Sequence, residues 1–252
     1  MKFSIIIPAR DEQALIGACL DAVALAAQPY PHDVEVIVVC NRCTDRTEEI
    51  ARARGAGIVH EDARNLSCIR NAGARQARGD IIVTIDADSR MAAGTLRAVD
   101  AALASGRYIG GGVFVRPERR SLGIIVTELF LWIYLVVTGL GGGVYWCYRR
   151  DFEAIGGFSE AMCIGEDLDF ARRLKAHGRA SRRRFGTLWR VSITTSARKF
   201  DRFGDWYMLR ILLLHPREAL RAFRGEGQSL ADRCFYDFDH APAHSTEDDC
   251  DA

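Results

Sequence analysis

Short continuous apolar runs alternate with stretches of helical periodicity over roughly the first hundred residues. Residues 3–7 are β-rich and predict a first strand, stopped by Pro8. Residues 12–27 are alanine-rich and predict a helix. Residues 34–40, Val-Glu-Val-Ile-Val-Val-Cys, form a continuous strand-like run suited to a buried parallel strand. A helix is expected over 44–54, with Thr44 as its cap. A short edge strand follows at 57–60. The next helix, 66–78, carries the small residues Ala72, Gly73 and Ala74. After the Gly79-Asp80 turn come a buried strand at 81–85 and a helix at 92–104. This βαβα rhythm predicts an open, doubly wound sheet with right-handed crossovers.

The pattern then loosens. Strands are expected at 108–116, 144–148 and 188–195. A short helix at 151–155 ends at Gly156-Gly157. A helix over 166–177 has Gly178 as its expected C-cap. Further helices are expected at 203–214 and, opened by Pro216, at 217–224. From Asp237 onward the chain carries Asp237, Asp239, Glu247, Asp248, Asp249 and Asp251 but no Lys or Arg, which reads as an acidic, mobile tail.

One segment breaks the globular pattern. Residues 122–137 are almost wholly apolar, with Glu128 inside and Arg119, Arg120, Arg149 and Arg150 flanking. The run is short for a bilayer span. A core helix or homodimer contact is expected first, a helix on a membrane surface second and a true span last.

Composition narrows the class. Of 252 residues, 48% are hydrophobic and 27% charged, which excludes wholesale disorder, collagen and a disulfide miniprotein. Lys plus Arg number 34 against 33 acids, so no strongly basic nucleic-acid binder is indicated. The eight cysteines are expected to be mostly reduced, and the start reads as a strand rather than a secretory leader. Both point to a cytoplasmic protein. Cys40 and Cys43 have metal-like spacing, but no second pair completes a tetrahedral site.

Three constellations carry chemistry. Asp86 and Asp88 end a buried strand, where ligands of open α/β sheets bind. Two carboxylates there suit a hard divalent cation that keeps positions open for phosphate oxygens. Against this stands an ordinary strand-to-helix turn with a capping acid. Glu166, Asp167 and Asp169 open a predicted helix, three acids in four positions, more than one cap requires. Asp167 is the expected general base toward an acceptor hydroxyl, with Glu166 orienting the acceptor or loop. Arg198 and Lys199 follow the last strand and suit phosphate oxygens, while Arg182, Arg183, Arg184 and Arg190 read as basic surface. The runs Gly110–Gly112 and Gly141–Gly143 are expected to relieve crowding beside a ligand, and neither makes a dinucleotide or Walker fingerprint. His215 is a further candidate contact.

Taken in order, several segments resemble the family 2 glycosyltransferases. They are Ile5-Ile6-Ile7-Pro8-Ala9-Arg10-Asp11-Glu12, then Val38 to Thr47, then Arg70-Asn71-Ala72-Gly73-Ala74 and Gly79-Asp80. Asp86-Ala87-Asp88, Arg149 to Phe158 and Gly165-Glu166-Asp167 complete the set. The resemblance implies an α/β GT-A fold, a Rossmann-type nucleotide-binding mixed sheet flanked by helices. It implies one catalytic domain over 1–236, with a nucleotide-binding half (1–112) and an acceptor half (113–236), then the tail 237–252. Pro8, Ala9 and Glu12 would line the nucleotide pocket. Asp86 would lie near the ribose or metal, and Asp88 would ligate Mg²⁺ or Mn²⁺. Asp167 would be the base of an inverting transfer, and Arg198 would lie near the donor diphosphate. The implied partners are a nucleotide-sugar donor and a hydroxyl acceptor whose identity stays open; the 122–137 segment adds the option of a lipid-linked acceptor at the inner face of a membrane, beside that of a packed dimer helix. Cys40 stands where relatives commonly carry an acid that helps read the nucleotide base, so the base stays open. A nucleotidyltransferase and a noncatalytic sugar-nucleotide-binding protein are the rival readings.

Overall fold

The computed structural model describes residues 1–140, 142–162 and 165–206. The expected helices at 203–214 and 217–224, His215 and the acidic tail therefore lie wholly or mostly outside the described residues. Four parallel strands form the first half: β1 (Phe3–Ala9), β2 (Val34–Cys40), β3 (Gly57–His60) and β4 (Ile81–Ile85). Helices α1 (Ile16–Ala27), α2 (Thr47–Ala53) and α3 (Leu66–Gln76) connect them. A short β5 (Ser89–Met91), α4 (Thr95–Ala104) and β6 (Tyr108–Pro117) follow. Then come α5 (Leu122–Thr138), β7 (Val144–Tyr148), α6 (Arg149–Ala154), α7 (Glu166–Ala180), β8 (Arg184–Thr195) and α8 (Arg198–Phe203). The eight strands join in the order β3-β2-β1-β4-β7-β6-β8-β5. β7 runs antiparallel to both β4 and β6, so the sheet is mixed.

Strand alternation divides the core into two layers. Phe3, Ile5, Ile7 and Ala9 of β1 face Ile16, Leu20 and Val23 of α1 and Leu96 and Val99 of α4. Ile6, with Val39 and Ile82, faces Ile69 and Ala72 of α3 and Phe170 and Leu174 of α7. Burying a residue of this size is worth about 1.5–3 kcal/mol, so the two layers hold the strand ends in place.

Several local expectations are corrected. β1 does not stop at Pro8 but pairs with β2 through Ala9. Lys2 and Ala9 show the alternation: the Lys2 carbonyl accepts from Ile81 of β4, and the Ala9 carbonyl accepts from Asn41 beside β2. Pro8 thus turns its missing N–H toward β4, where the β1–β4 pairing ends at Ile6–Thr84, and leaves the β2 side of the strand paired. Thr44 does not cap α2. It is drawn to Asp11, while Asp45 accepts from the Thr47 amide at the helix start. Gly178 does not end α7, which runs to Ala180. A side chain there would strike Ile109 of β6, so glycine serves helix–sheet contact. In Gly110–Gly112 the crowding is internal too: a Cβ at Gly111 would collide with the Gly186 backbone and Trp146.

Candidate active site

The C-terminal ends of β1, β2 and β4 lie side by side, and the predicted acids gather there. Asp86 follows Ile85, the last residue of β4. The next turn leads into β5, whose pairing with β8 seats Asp88. Ser196 donates its amide to the Asp88 carbonyl at 3.1 Å, and the Ser89 hydroxyl reaches both Asp88 Oδ1 (3.2 Å) and Thr195 Oγ1 (3.1 Å). Sequence periodicity missed β5, because three residues are too few to show it.

Glu166 and Asp167 open α7, on the far side of the same end of the sheet. Arg70 of α3 ties both acid clusters together. Its Nη2 donates to Asp86 Oδ1 at 3.0 Å, and its Nη1 donates to Asp167 Oδ1 at 2.6 Å and Glu166 Oε1 at 3.2 Å. The Arg70 side chain is 3% exposed and lies over the Phe158 ring, 5.2 Å from its centroid. A buried guanidinium needs acids around it, and this one has three. Arg70 entered the sequence reading only within a motif. The available signal was an arginine on the Ile69, Ala72, Gly73 stripe of α3, a face the periodicity buries.

The rest of α3 holds the opposing loop. Asn71 brackets Phe158, accepting from its amide and donating to its carbonyl, both at 2.9 Å. Asn65 caps α3 through Cys68 and also donates to the carbonyls of Glu160 and Met162. One helix therefore sets the approach to α7.

Asp167 is 36% exposed, and its carboxyl is raised from the ordinary 3.8 to about 7. Burial raises it most. Arg70 pulls it down, and Glu166 and Asp86 push it up. It is poised near neutrality, where a general base is most effective. Glu166 is almost fully buried, whereas Asp169 pairs with Arg173 at 2.6 Å along α7, a local helix contact.

The third constellation also meets the site. Arg198 starts α8, donates to Glu12 Oε1 at 2.7 Å and lies 3.8 Å from Asp88 Oδ2. It joins the loop after β1 to the turn after β4. Pro8 and Ala9 are buried within β1, and the Ala9 carbonyl already accepts from Asn41 and from the Cys43 thiol. Of the arginine triplet, Arg183 turns inward to grip the buried Asp151 at 2.8 and 3.0 Å, so it is not free basic surface. A shallow hollow lined by Tyr108, Tyr148, Arg150 and Arg183 lies at the other end of β6 and β7, away from the acids.

Two places offer ligand atoms to a divalent cation. Asp86 and Asp88 offer hard oxygen donors on one turn, 43% and 23% exposed, with a guanidinium beside each. That donor set fits Mg²⁺ or Mn²⁺. Asp11, Cys43 and Asp45 also place ligand atoms within 4.8 Å of one another. Their oxygens are engaged in lacing loops: Asp11 Oδ1 accepts from the Thr44 and Asp45 amides, and Asp45 from those of Thr47 and Gln13. Cys40 and Cys43 are free thiols in hydrogen-bond contact, a contact that raises Cys40 and lowers Cys43.

Comparison with known proteins agrees with this geometry. Residues 4–134 match the family described as glycosyl transferase family 2, and residues 130–195 match a galactosyltransferase domain family. No curated protein matches. Among solved structures, a mannosyltransferase from Pyrobaculum calidifontis with GDP-Man and Mn²⁺ superposes with TM-score 0.64 at 20% identity, over 92% of this chain and 74% of that one. S. aureus TarS residues 1–349 with UDP-GlcNAc gives 0.62 at 16%, over 94% and 74%. Against the longer TarS chain the match spans 45% of its length. Glucosyl-3-phosphoglycerate synthase from Mycobacterium tuberculosis gives 0.60 at 18%, over 90% and 79%. At these identities the likeness carries the fold, the GT-A arrangement of a mixed eight-stranded sheet flanked by helices. The family match covers more than half of the chain, and the protein belongs to glycosyltransferase family 2.

Proposed function

We propose that the chain transfers a sugar from a nucleotide-sugar donor to a hydroxyl acceptor in one inverting displacement. The observation that carries this is the Arg70 bridge, which holds Asp86 and Asp167 on opposite sides of one small site. Complexes of the structural neighbours support the donor class: GDP-Man, UDP-GlcNAc and UDP-Glc are bound by the relatives named above. The shared sheet of the described residues supports one catalytic unit.

Asp88, with Asp86, would hold a divalent cation, which when bound supplies positive charge to the departing diphosphate. Arg198 stands next to Asp88 and adds a guanidinium aimed at the same oxygens. Asp167 removes the acceptor hydroxyl proton as that oxygen attacks the anomeric carbon. Glu166 fixes the start of α7, and Arg70 keeps the base in place. Glu12 positions Arg198 from the loop after β1, beside Pro8 and Ala9 at the proposed nucleotide edge. At the end of β2, Cys40 offers no charged group, so both uridine and guanosine donors remain to be assayed.

The test is a panel of UDP- and GDP-sugars with Mg²⁺ or Mn²⁺ and simple alcohol or lipid-linked hydroxyl acceptors. Release of nucleoside diphosphate, with an inverted product anomer by NMR, is expected. In a parallel assay with nucleoside triphosphate and sugar 1-phosphate, release of pyrophosphate would identify a nucleotidyltransferase instead. A retained anomer would remove Asp167 from the role of base, and binding without turnover across the panel would favour a noncatalytic protein.

A further inference from the structure

Helix α5 shows the solvent a face that a folded chain normally hides. Leu122 (70%), Leu129 (55%) and Phe130 (54%) are exposed, as are Ile125, Trp132 and Ile133. At 100° per residue these six positions fall within an arc of about 160°. Ile124 and Thr127 turn the other way and are buried. The expectation of a core helix at 122–137 is therefore corrected: only one side of it packs inward.

The ends of the helix are fixed to the body. Ser121 caps its start, Arg119 just before it pairs with Asp201 and Asp205, and Lys175 donates to the Thr138 carbonyl at 2.8 Å. Trp206, also exposed, follows Asp205, whose backbone lies against Gly123. No described helix is long and apolar enough to cross a membrane.

We infer that the outer face of α5 seats the protein on an anionic lipid surface without spanning it. Charge decides among occupants. Arg116 and Arg120 are exposed beside the helix start and make no ion pair among the described residues. The helix itself carries one acid, Glu128, which is half-buried. Two exposed arginines at the start of an apolar face match phosphate headgroups over acyl chains, and they offer little to a second copy of the same face. Trp132 and Trp206 suit the interface, where an apolar ring with one polar atom is at home. The helix lies at the functional end of the sheet. The chain leaves β6 at Pro117, opposite Thr195, and returns in β7 at Val144, opposite Ile85, the residue before Asp86. A bilayer under α5 would thus lie beside the site, which under the proposed function suits a lipid-borne acceptor.

The test uses the full chain and flotation with vesicles of phosphatidylcholine alone or with one quarter phosphatidylglycerol. Flotation is expected with the anionic vesicles and should weaken at high salt. Replacing Leu129 and Phe130 together by serine should reduce it by about tenfold or more while leaving the melting temperature and solution mass unchanged. Wild-type protein that does not float, or variant protein that floats equally well, would overturn the inference. A variant that loses several degrees of melting temperature would show the face covered by this chain's own residues 207–252. A fall in solution mass would show it covered by a second copy. The readout needs no turnover, so it stands or falls apart from the assigned reaction.

Discussion

Two arginines cross the site, and burial separates their roles. Arg70 is 3% exposed and answers three acids, so it fixes where Asp86, Glu166 and Asp167 stand. Arg198 is 40% exposed, holds Glu12 closely and Asp88 only at 3.8 Å. The buried guanidinium has already exchanged water for carboxylates and cannot leave them without a large cost. The half-exposed one keeps part of its solvation, and under the proposed function it turns to an incoming phosphate. Under the proposed function the same side chain thus serves as a fixed brace in one place and as a ligand group in the other.

The comparison can be broken in order of effect. Asp167→Asn keeps the hydrogen-bonding shape but removes the base, and turnover should fall by about 10²–10⁴-fold with donor affinity nearly unchanged. Single-turnover kinetics with equilibrium donor binding check this, and near-wild-type turnover would remove Asp167 from the role. Arg70→Met leaves three acids facing one another. It should cost about 3–5 kcal/mol of stability, read by denaturant unfolding, because the buried Glu166 and the partly exposed Asp86 and Asp167 all lose their shared buried partner. It should also move the acid limb of the rate above pH 7, since Arg70 is what lowers Asp167. Should that variant not fold, Arg70→Lys tests the same point: it keeps the charge but loses the planar fork, and turnover should still drop. Arg198→Ala should raise the donor KM by about tenfold through lost phosphate contact, with a stability change of about 0–1 kcal/mol. A stability loss matching that of Arg70→Met would erase the distinction between the two arginines. The smallest effect belongs to the exposed Arg46–Glu49 pair, where alanine substitution should leave both activity and melting temperature nearly unchanged.

Much of this contrast was legible in the residues. The strands β2 and β4 lie where the apolar runs placed them, because a buried parallel strand needs a mostly apolar stretch, and β3 forms the expected edge. The acids of Asp86–Asp88 and Glu166–Asp167 stood out by spacing. What escaped were features set by distant partners. Thr44 has the chemistry of a cap, yet the Asp11 carboxylate across the loop outcompetes the helix for it. Gly178 resembles a helix stop, but the nearness of Ile109 asks for glycine inside the helix. Arg70 carries no local sign of its three acids, 16 to 97 residues away along the chain. Helix α5 was ambiguous because periodicity does not say whether an apolar face meets protein, lipid or another copy.

The pH dependence of turnover tests the central claim most directly. With a donor and acceptor in hand, kcat/KM measured from pH 5 to 9 should rise along one acid limb centred near pH 7, where Asp167 of the free enzyme loses its proton, and then level off. A rate that is flat across this range, or that falls as the pH rises through 7, would contradict the account.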